Sequence, residues 1–446
     1  MAMATALAIC CSGLPSHASM QKPQLSDGPA FSDNHKTLVC LNTFQPFGYG
    51  LSIGPPGSAV YDEDPFRNGG SDQAVMPKSR LALINSSGFD CLRMVIDVGA
   101  LMSARSETLL DALVAQIMIG ISRRVDSGLR VLVDIHPFPR GAHPVSGFAD
   151  VDLLDGETGE KFQRLIHVVS KLAISIGARF PPALVAIELF NEPPSPTSFN
   201  DQRPWNEQIE FYWKQIRLIL PTHTLIVAGT GFAELDGSVS GDSSAGVVNL
   251  RPDRFDANTG YAIHPYESAT FTHQGYAGFF SHVGGLEFPA AMDRDGKLAA
   301  ENIFRRNVAA DPNLTHSAKS QLIYDFLYRT VHSYSFEKYR TTFGNAELLL
   351  KRMNVVNTWA DLHHLSRKQI MNTEFGVNRD QAGCVGKAPS KSAFNFVRAI
   401  RDNSFASGIG LITIHQMQGD CFAISSAAPP FAFEADMLEA LRLPGR

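Results

Sequence analysis

Two glutamates set at the ends of apolar runs carry the chemistry open to this chain. Glu192 closes the run LVAIELFNE and Glu374 closes IMNTE. Both stand where a buried strand would not choose a charge. Arg93 inside CLRMVI, His136 after VLVDI, Asn191 beside Glu192, and His264 and Tyr266 in AIHPY follow the same habit. Each residue alone has a plain alternative: a strand-end histidine is commonly a satisfied structural one, and a strand-end glutamate often caps a helix or pairs with a base. Five strand ends of this kind in one chain are much harder to explain that way. Two carboxylates with few other reactive groups point to cleavage of a glycosidic bond. One carboxyl would give a proton to the leaving oxygen while the other, ionised, attacks the anomeric carbon. Different surroundings must split their pKa values, and Arg93 would favour ionisation of a carboxylate beside it. Asn191 is suited to bond a sugar 2-hydroxyl. Neighbours on an ideal strand point opposite ways, so a bend or bulge is expected between Asn191 and Glu192.

These residues need a scaffold whose strand ends converge. The patterns predict strands over 89–96, 130–135, 184–190, 225–228, 261–263, 369–373 and 410–414, and helices over 109–127, 161–176, 207–220 and 393–403, with further helices across 315–366. Strands alternating with helices imply a parallel sheet with crossover helices. A closed (β/α)8 barrel, an α/β fold, suits the length and gathers strand ends at one mouth. An open doubly wound sheet is the alternative, but no GxGxxG or P-loop supports it. The stretch from His264 to Glu374 is too long for one βα unit. It predicts an inserted helical subdomain between strands 6 and 7, roughly Phe271 to Leu350.

Bulk properties narrow the partners. The 446 residues carry 19% charged and 44% apolar side chains and a net charge of −5, an ordinary globular composition. No basic patch speaks for nucleic acid, and no run beyond the first residues is long and apolar enough to span a membrane. Residues 1–18 read as a secretory signal peptide, although no Lys or Arg precedes the apolar run. Residues 19–37 then form an N-terminal loop segment and 38–446 the catalytic barrel, in a secreted or periplasmic protein. Four cysteines remain after such a cut, Cys40, Cys91, Cys384 and Cys421, and three pairings are open. Cys384 and Cys421 follow neighbouring strands and are expected to pair if the chain is exported. No HExxH or paired His/Cys spacing offers a metal site.

The motifs LRMVID, VDIHP, IELFNEP, IHPYESATFTHQG and NTEFGV, in this order over about residues 78–424, make the chain resemble glycoside hydrolase family 5, the cellulase family. The resemblance implies a TIM barrel, retention of configuration, no cofactor, and a polysaccharide or oligosaccharide substrate, most simply an internal β-1,4-glucan linkage. A β-mannanase, a β-1,3-glucanase or a weakly active carbohydrate-binding relative are the alternatives. Residue by residue it implies Glu192 as acid/base, Glu374 as nucleophile, Arg93 holding the nucleophile, and Asn191 on the 2-hydroxyl. His136 and His264 would line the sugar subsite and Tyr266 would touch the nucleophile. Glu188 and Asp134 share strand parity with Glu192 and His136 and read as buried supports. His273 is a candidate mouth-loop contact, and His143, His363 and His364 read as solvated. One departure stands out: where relatives end the last strand in Trp, Ile414 falls near that position and His415 follows. Trp205, Trp213 and Trp359 all fall in helical patterns, and Phe138, Phe148 and Phe232 are the other candidate platforms.

Overall fold

The computed structural model describes residues 28–43, 76–104, 106–137, 153, 156–194, 205–235, 246–276, 278–291, 293–328, 335–380, 387–417, 421–425 and 431–443. Residues 1–18, together with Phe138, His143, Phe148 and Cys384, lie outside them, so the readings placed there do too.

Eight parallel strands close into a barrel in sequence order, with β1 paired to β8. They are β1 (Leu38–Asn42), β2 (Cys91–Asp97), β3 (Arg130–His136), β4 (Val185–Glu188), β5 (Leu225–Ala228), β6 (Thr259–Ile263), β7 (Ile370–Phe375) and β8 (Leu411–Ile414). The long helices are α1 (Lys78–Ser86), α2 (Glu107–Asp126), α3 (Glu160–Arg179), α4 (Trp205–Ile219), α5 (Arg294–Ala310), α6 (His316–Leu327), α7 (Ala346–Leu362) and α8 (Ser390–Ser407). Strand and helix boundaries fall within a few residues of those expected wherever the apolar period was long. β1 and α1 carry no comparable sequence signal. The β6–β7 connection holds α5, α6 and α7.

Local chemistry explains how each strand is launched. Ser106 caps α2 by accepting from the Leu109 amide, which satisfies an otherwise orphaned donor. α2 ends at Asp126; just beyond it Gly128 takes a φ of 84° that only glycine adopts freely, and the chain enters β3 two residues later.

Strand parity divides the buried residues into two sets. Leu41, Leu92, Val131, Val133, Ile187, Val227, Ile263, Ile412 and Ile414 face the helices in the large outer core. Leu38, Cys40, Cys91, Leu132, Ala186, Ile226, Ala262, Met371 and Leu411 fill the barrel's interior near its floor. Phe31, fully buried with that interior set, plugs the floor from below. The Phe31 amide donates to Thr224 Oγ1 at 3.0 Å, and Arg130 donates to the Phe31 and Ser32 carbonyls. The segment before β1 is therefore packed against the barrel. Cys40 and Cys91, register partners on β1 and β2, form a disulfide with Cα atoms 4.5 Å apart. Cys421 is also disulfide-bonded. Among the described residues, no helix is long and apolar enough to cross a membrane.

Candidate active site

Above the apolar floor the same inward parity turns polar. Asn42, Arg93, Asp134, Glu188, Thr373 and Glu374 are all buried above the floor on β1, β2, β3, β4 and β7. The barrel thus brings together all seven residues singled out from the sequence, and Arg93 is the hub. Its Nε donates to Glu188 Oε2 at 2.8 Å, Nη1 to Glu374 Oε2 at 2.6 Å, and Nη2 to Asn191 Oδ1 at 2.7 Å. Nη2 also lies 3.1 Å from Asp134 Oδ2. Burial works against the guanidinium, but Asp134, Glu188 and Glu374 raise its pKa above the ordinary arginine value.

Two backbone irregularities aim the glutamates. β4 ends at Glu188, the Asn191 amide still donates to the Ile135 carbonyl of β3, and Glu192 then takes a φ of 42°. This left-handed turn, costly for a side chain with a Cβ, is the bend expected there. It lets Asn191 and Glu192 both face the mouth. In β7 the register with β8 shifts between Asn372 and Phe375. Such an irregularity frees consecutive residues from strict alternation, so Thr373 and Glu374 both reach the interior, Thr373 towards Glu188 and Glu374 towards Arg93.

Glu374 is gripped on both oxygens. Tyr266 donates its hydroxyl to Oε1 at 2.8 Å, and Asn42 Nδ2 donates to Oε2 at 3.1 Å beside Arg93. Burial opposes ionisation, but His415, Arg93 and His264 outweigh it and hold the carboxyl well below the usual carboxylate range. Burial, with Glu374 and Glu192 nearby, pushes the Tyr266 hydroxyl well above its usual value, so it stays a donor. Glu374 is therefore a fixed, ionised carboxylate. Glu192 is the more open of the two, its side chain 28% exposed against 9% for Glu374, and its Oε1 lies 2.9 Å from His264 Nδ1. One oxygen of Glu192 and one of Glu374 lie within 4.8 Å of each other, with a nitrogen of His264 inside the same limit. Those three side chains are the set that could surround a cation, but His264 has hydrogen-bond partners on both ring nitrogens. Although burial opposes it, Glu188 and Glu192 raise His264 to about 10.

His136 sits behind Asn191. Its Nδ1 is 2.8 Å from Asp134 Oδ2, and its Nε2 is 3.3 Å from Asn191 Nδ2. Asp134 and Glu188 are buried supports, as their parity indicated. Against the pull of burial, Arg93 and His264 hold Glu188 down to about 2. For Asp134, burial prevails over Arg93 and His136 and raises the carboxyl. His273 lies in a ring cluster, its centroid 5.0 Å from Tyr266 and 5.2 Å from Phe422. Burial and the neighbouring His415 lower it to about 4.

Sequence reasoning missed Asn42, Thr373, His415 and Phe422. Asn42 bears the same mark as the others, a polar residue ending an apolar run, on a strand too short to stand out. The position beside Glu374 belongs to His415 and not to Ile414. Ile414 packs into the outer core, whereas His415 Nδ1 lies 3.6 Å from Glu374 Oε1 and 3.1 Å from Asn42 Nδ2. Phe422 closes against the His415 ring at 5.2 Å. Trp205, Trp213 and Trp359 are all buried in helices and pack the core.

A parallel eight-stranded barrel with charged groups gathered at its mouth defines the class of scaffold. The sequence model of the family described as Cellulase (glycosyl hydrolase family 5) matches residues 69–310. That is more than half of the chain, and the protein belongs to this family of glycoside hydrolases. No curated protein matches it. Among solved structures, cellulose synthase subunit Z of Clostridioides difficile aligns with a TM-score of 0.58 at 17% identity, over 91% of this chain and 99% of that one. Cel5A of Thermotoga maritima in complex with cellobiose aligns at 0.57 and 16% identity, over 91% and 98%. A family 5 xyloglucanase from Paenibacillus pabuli aligns at 0.58 and 11% identity, over 91% and 97%. At these identities the likeness is one of fold.

Proposed function

We propose that this protein is a retaining glycosidase cleaving internal β-1,4 bonds of a glucan, with Glu374 as nucleophile and Glu192 as acid/base. The observation that carries the reading is that one oxygen of Glu192 lies within 4.8 Å of one oxygen of Glu374. Retaining enzymes hold the pair about 5–5.5 Å apart, and inverting enzymes leave about 6.5–9.5 Å for a water molecule. In the first step a Glu374 oxygen bonds the anomeric carbon as the bond to the leaving sugar breaks. The electron pair stays on the leaving oxygen, which takes the Glu192 proton. In the second step a water oxygen bonds the anomeric carbon, its proton goes to Glu192, and the bond to Glu374 breaks. Arg93, Asn42 and Tyr266 hold Glu374 as the anion this requires. Asn191, steadied by Arg93 and His136, is offered to the sugar 2-hydroxyl, and His136 and His264 line the same subsite. No step calls for a cofactor.

Cel5A of Thermotoga maritima has been solved with cellobiose and with mannotriose, and cellobiose is the β-1,4-linked disaccharide of glucose. Export is likewise a proposal. It is supported by the Cys40–Cys91 disulfide, a bond that belongs to oxidising compartments. The test is proton NMR of the products first formed from cello-oligosaccharides, beside a panel of soluble glucans and mannans. We expect the β-anomer to appear first and β-1,4-glucan to be cut internally. First appearance of the α-anomer refutes retention, and activity confined to mannan or β-1,3-glucan refutes the linkage.

A further inference from the structure

One buried side chain at the site has no part in the two steps above, yet its hydrogen bonds fix what a neighbour can do. Thr373 Oγ1 donates to Glu188 Oε1 at 2.8 Å and lies 2.9 Å from His264 Nε2. A hydroxyl has a single proton. Glu188 is ionised, with Arg93 Nε on its other oxygen, so it takes that proton as acceptor. Thr373 Oγ1 can then meet His264 only as an acceptor, and Nε2 must carry a hydrogen in every state of the ring. The remaining nitrogen, Nδ1, faces Glu192 Oε1 at 2.9 Å.

We propose that Thr373 is a positioning residue that commits His264 Nδ1 to share one proton with Glu192. This rests on the reading of Glu192 as acid/base. With the proton on Glu192, Nδ1 is a lone pair that accepts from the carboxylic acid, and Glu192 is ready to protonate a leaving group. With the proton on Nδ1, Glu192 is a carboxylate and has nothing to donate; once the shared proton has gone to the leaving oxygen, Nδ1 and Glu192 are both bare and Glu192 accepts a proton from the attacking water. The proton lost to the leaving oxygen in the first step is replaced from water in the second, so the pair ends as it began. The charged groups around the ring are Glu188 and Glu192 from β4 and its loop and Glu374 from β7, with Arg93 of β2 behind Glu188. Without the Thr373 hydroxyl, the nearest acceptor facing Nε2 is Glu188 Oε1 at 3.7 Å, beyond hydrogen-bond reach, and the opposite tautomer is no longer forbidden. Its Nδ1–H would point at the proton of a protonated Glu192.

A defect in acid catalysis has a signature that general disruption lacks. A leaving group that is already a stable anion needs no proton, and a poor one does. The experiment measures kcat/KM, which reports the first step, for 2,4-dinitrophenyl and phenyl β-cellotriosides on the full chain. The ratio of the two rates within one preparation is independent of how much protein has folded. For Thr373→Val we expect phenyl turnover to fall at least about tenfold more than dinitrophenyl turnover, within the ~10²–10⁴-fold worth of a general acid. Thr373→Ser, which keeps the hydroxyl, should return the wild-type ratio. Glu192→Gln should widen it by about 10²-fold or more. If Glu192→Gln widens the ratio and Thr373→Val leaves it unchanged, the role of Thr373 is refuted while the acid stands. If Glu192→Gln leaves it unchanged, the assignment of the acid fails, and this inference falls with it.

Discussion

The floor and the mouth of this barrel are built from the same strands with the same inward parity, yet they solve opposite problems. At the floor Leu38, Leu132, Ile226, Met371 and Leu411 pack around the Phe31 plug. Two residues further along β3, Leu132 gives way to Asp134, and on β4 Ala186 gives way to Glu188. On β2, Cys91 gives way to Arg93. Burying apolar surface at the floor stabilises the fold directly. Burying Arg93 among three carboxylates stabilises little on balance, because desolvation consumes much of the Coulomb attraction. The gain is geometric: one guanidinium fixes Glu374, Glu188 and Asn191 at once. A barrel of this kind separates the part that holds it together from the part that reacts.

That separation can be broken from either side. The largest effect is expected at the mouth: Glu374→Gln should lower kcat by on the order of 10⁴-fold or more, the scale on which losing a nucleophile is felt. Its oligosaccharide affinity should stay close to wild type. Phe31→Ala is the converse. It should cost about 3–5 kcal/mol in chemical denaturation and leave kcat unchanged at temperatures where the variant is folded. A large fall in kcat for Phe31→Ala would mean that floor and mouth are coupled.

The pH dependence of stability sharpens the contrast. Glu188 is held down at about 2 from 4.5. Its contribution is therefore complete above about pH 4.5 and lost as pH falls towards 2. His264 is raised to about 10 from 6.5, so its contribution is complete below about pH 6.5 and lost as pH rises through 10. Thermal midpoints measured from pH 2 to 10 should peak between these limits. Phe31→Ala should lower the whole curve without changing its shape, since no core residue of the floor titrates. A change of shape would place titrating groups at the floor.

The smallest expected effect concerns the subsite wall. His415 stands beside Glu374 with Phe422 against its ring, where the resemblance led to the expectation of Trp. Losing an aromatic face of that size costs roughly 0.5–1.5 kcal/mol, so remote sugars must supply more of the positioning. kcat/KM should rise about tenfold or more between cellobiosides and cellotetraosides. A plateau already reached at the disaccharide would show that this wall binds sugar as well as an indole does.

Much of the mouth was legible because it violates the pattern around it. A polar or charged residue within or ending an apolar run is visible in one dimension, so Arg93, His136, Asn191, Glu192, His264 and Glu374 stand out without a structure. The barrel followed from the alternation of strands and helices. What stayed hidden depended on register or on three-dimensional partnership. Ile414 and His415 differ by one position, and a one-residue slip turns a side chain to the other face of a strand. Asn42 lies on a five-residue strand with no helical period beside it to frame it. Thr373 is an ordinary strand residue, and only its two partners give it meaning. The bulge that lets Thr373 and Glu374 face the same way has no mark in the composition of β7.

The central claim is that Glu374, fixed as an anion by Arg93, Asn42 and Tyr266, forms the covalent intermediate. The most direct measurement is trapping with 2,4-dinitrophenyl 2-deoxy-2-fluoro-β-cellotrioside, followed by peptide mass mapping. The account predicts one sugar per chain, attached to Glu374. A label on Glu192, Glu188 or Asp134, or an enzyme that turns over its natural substrate yet never accumulates the adduct, would contradict it.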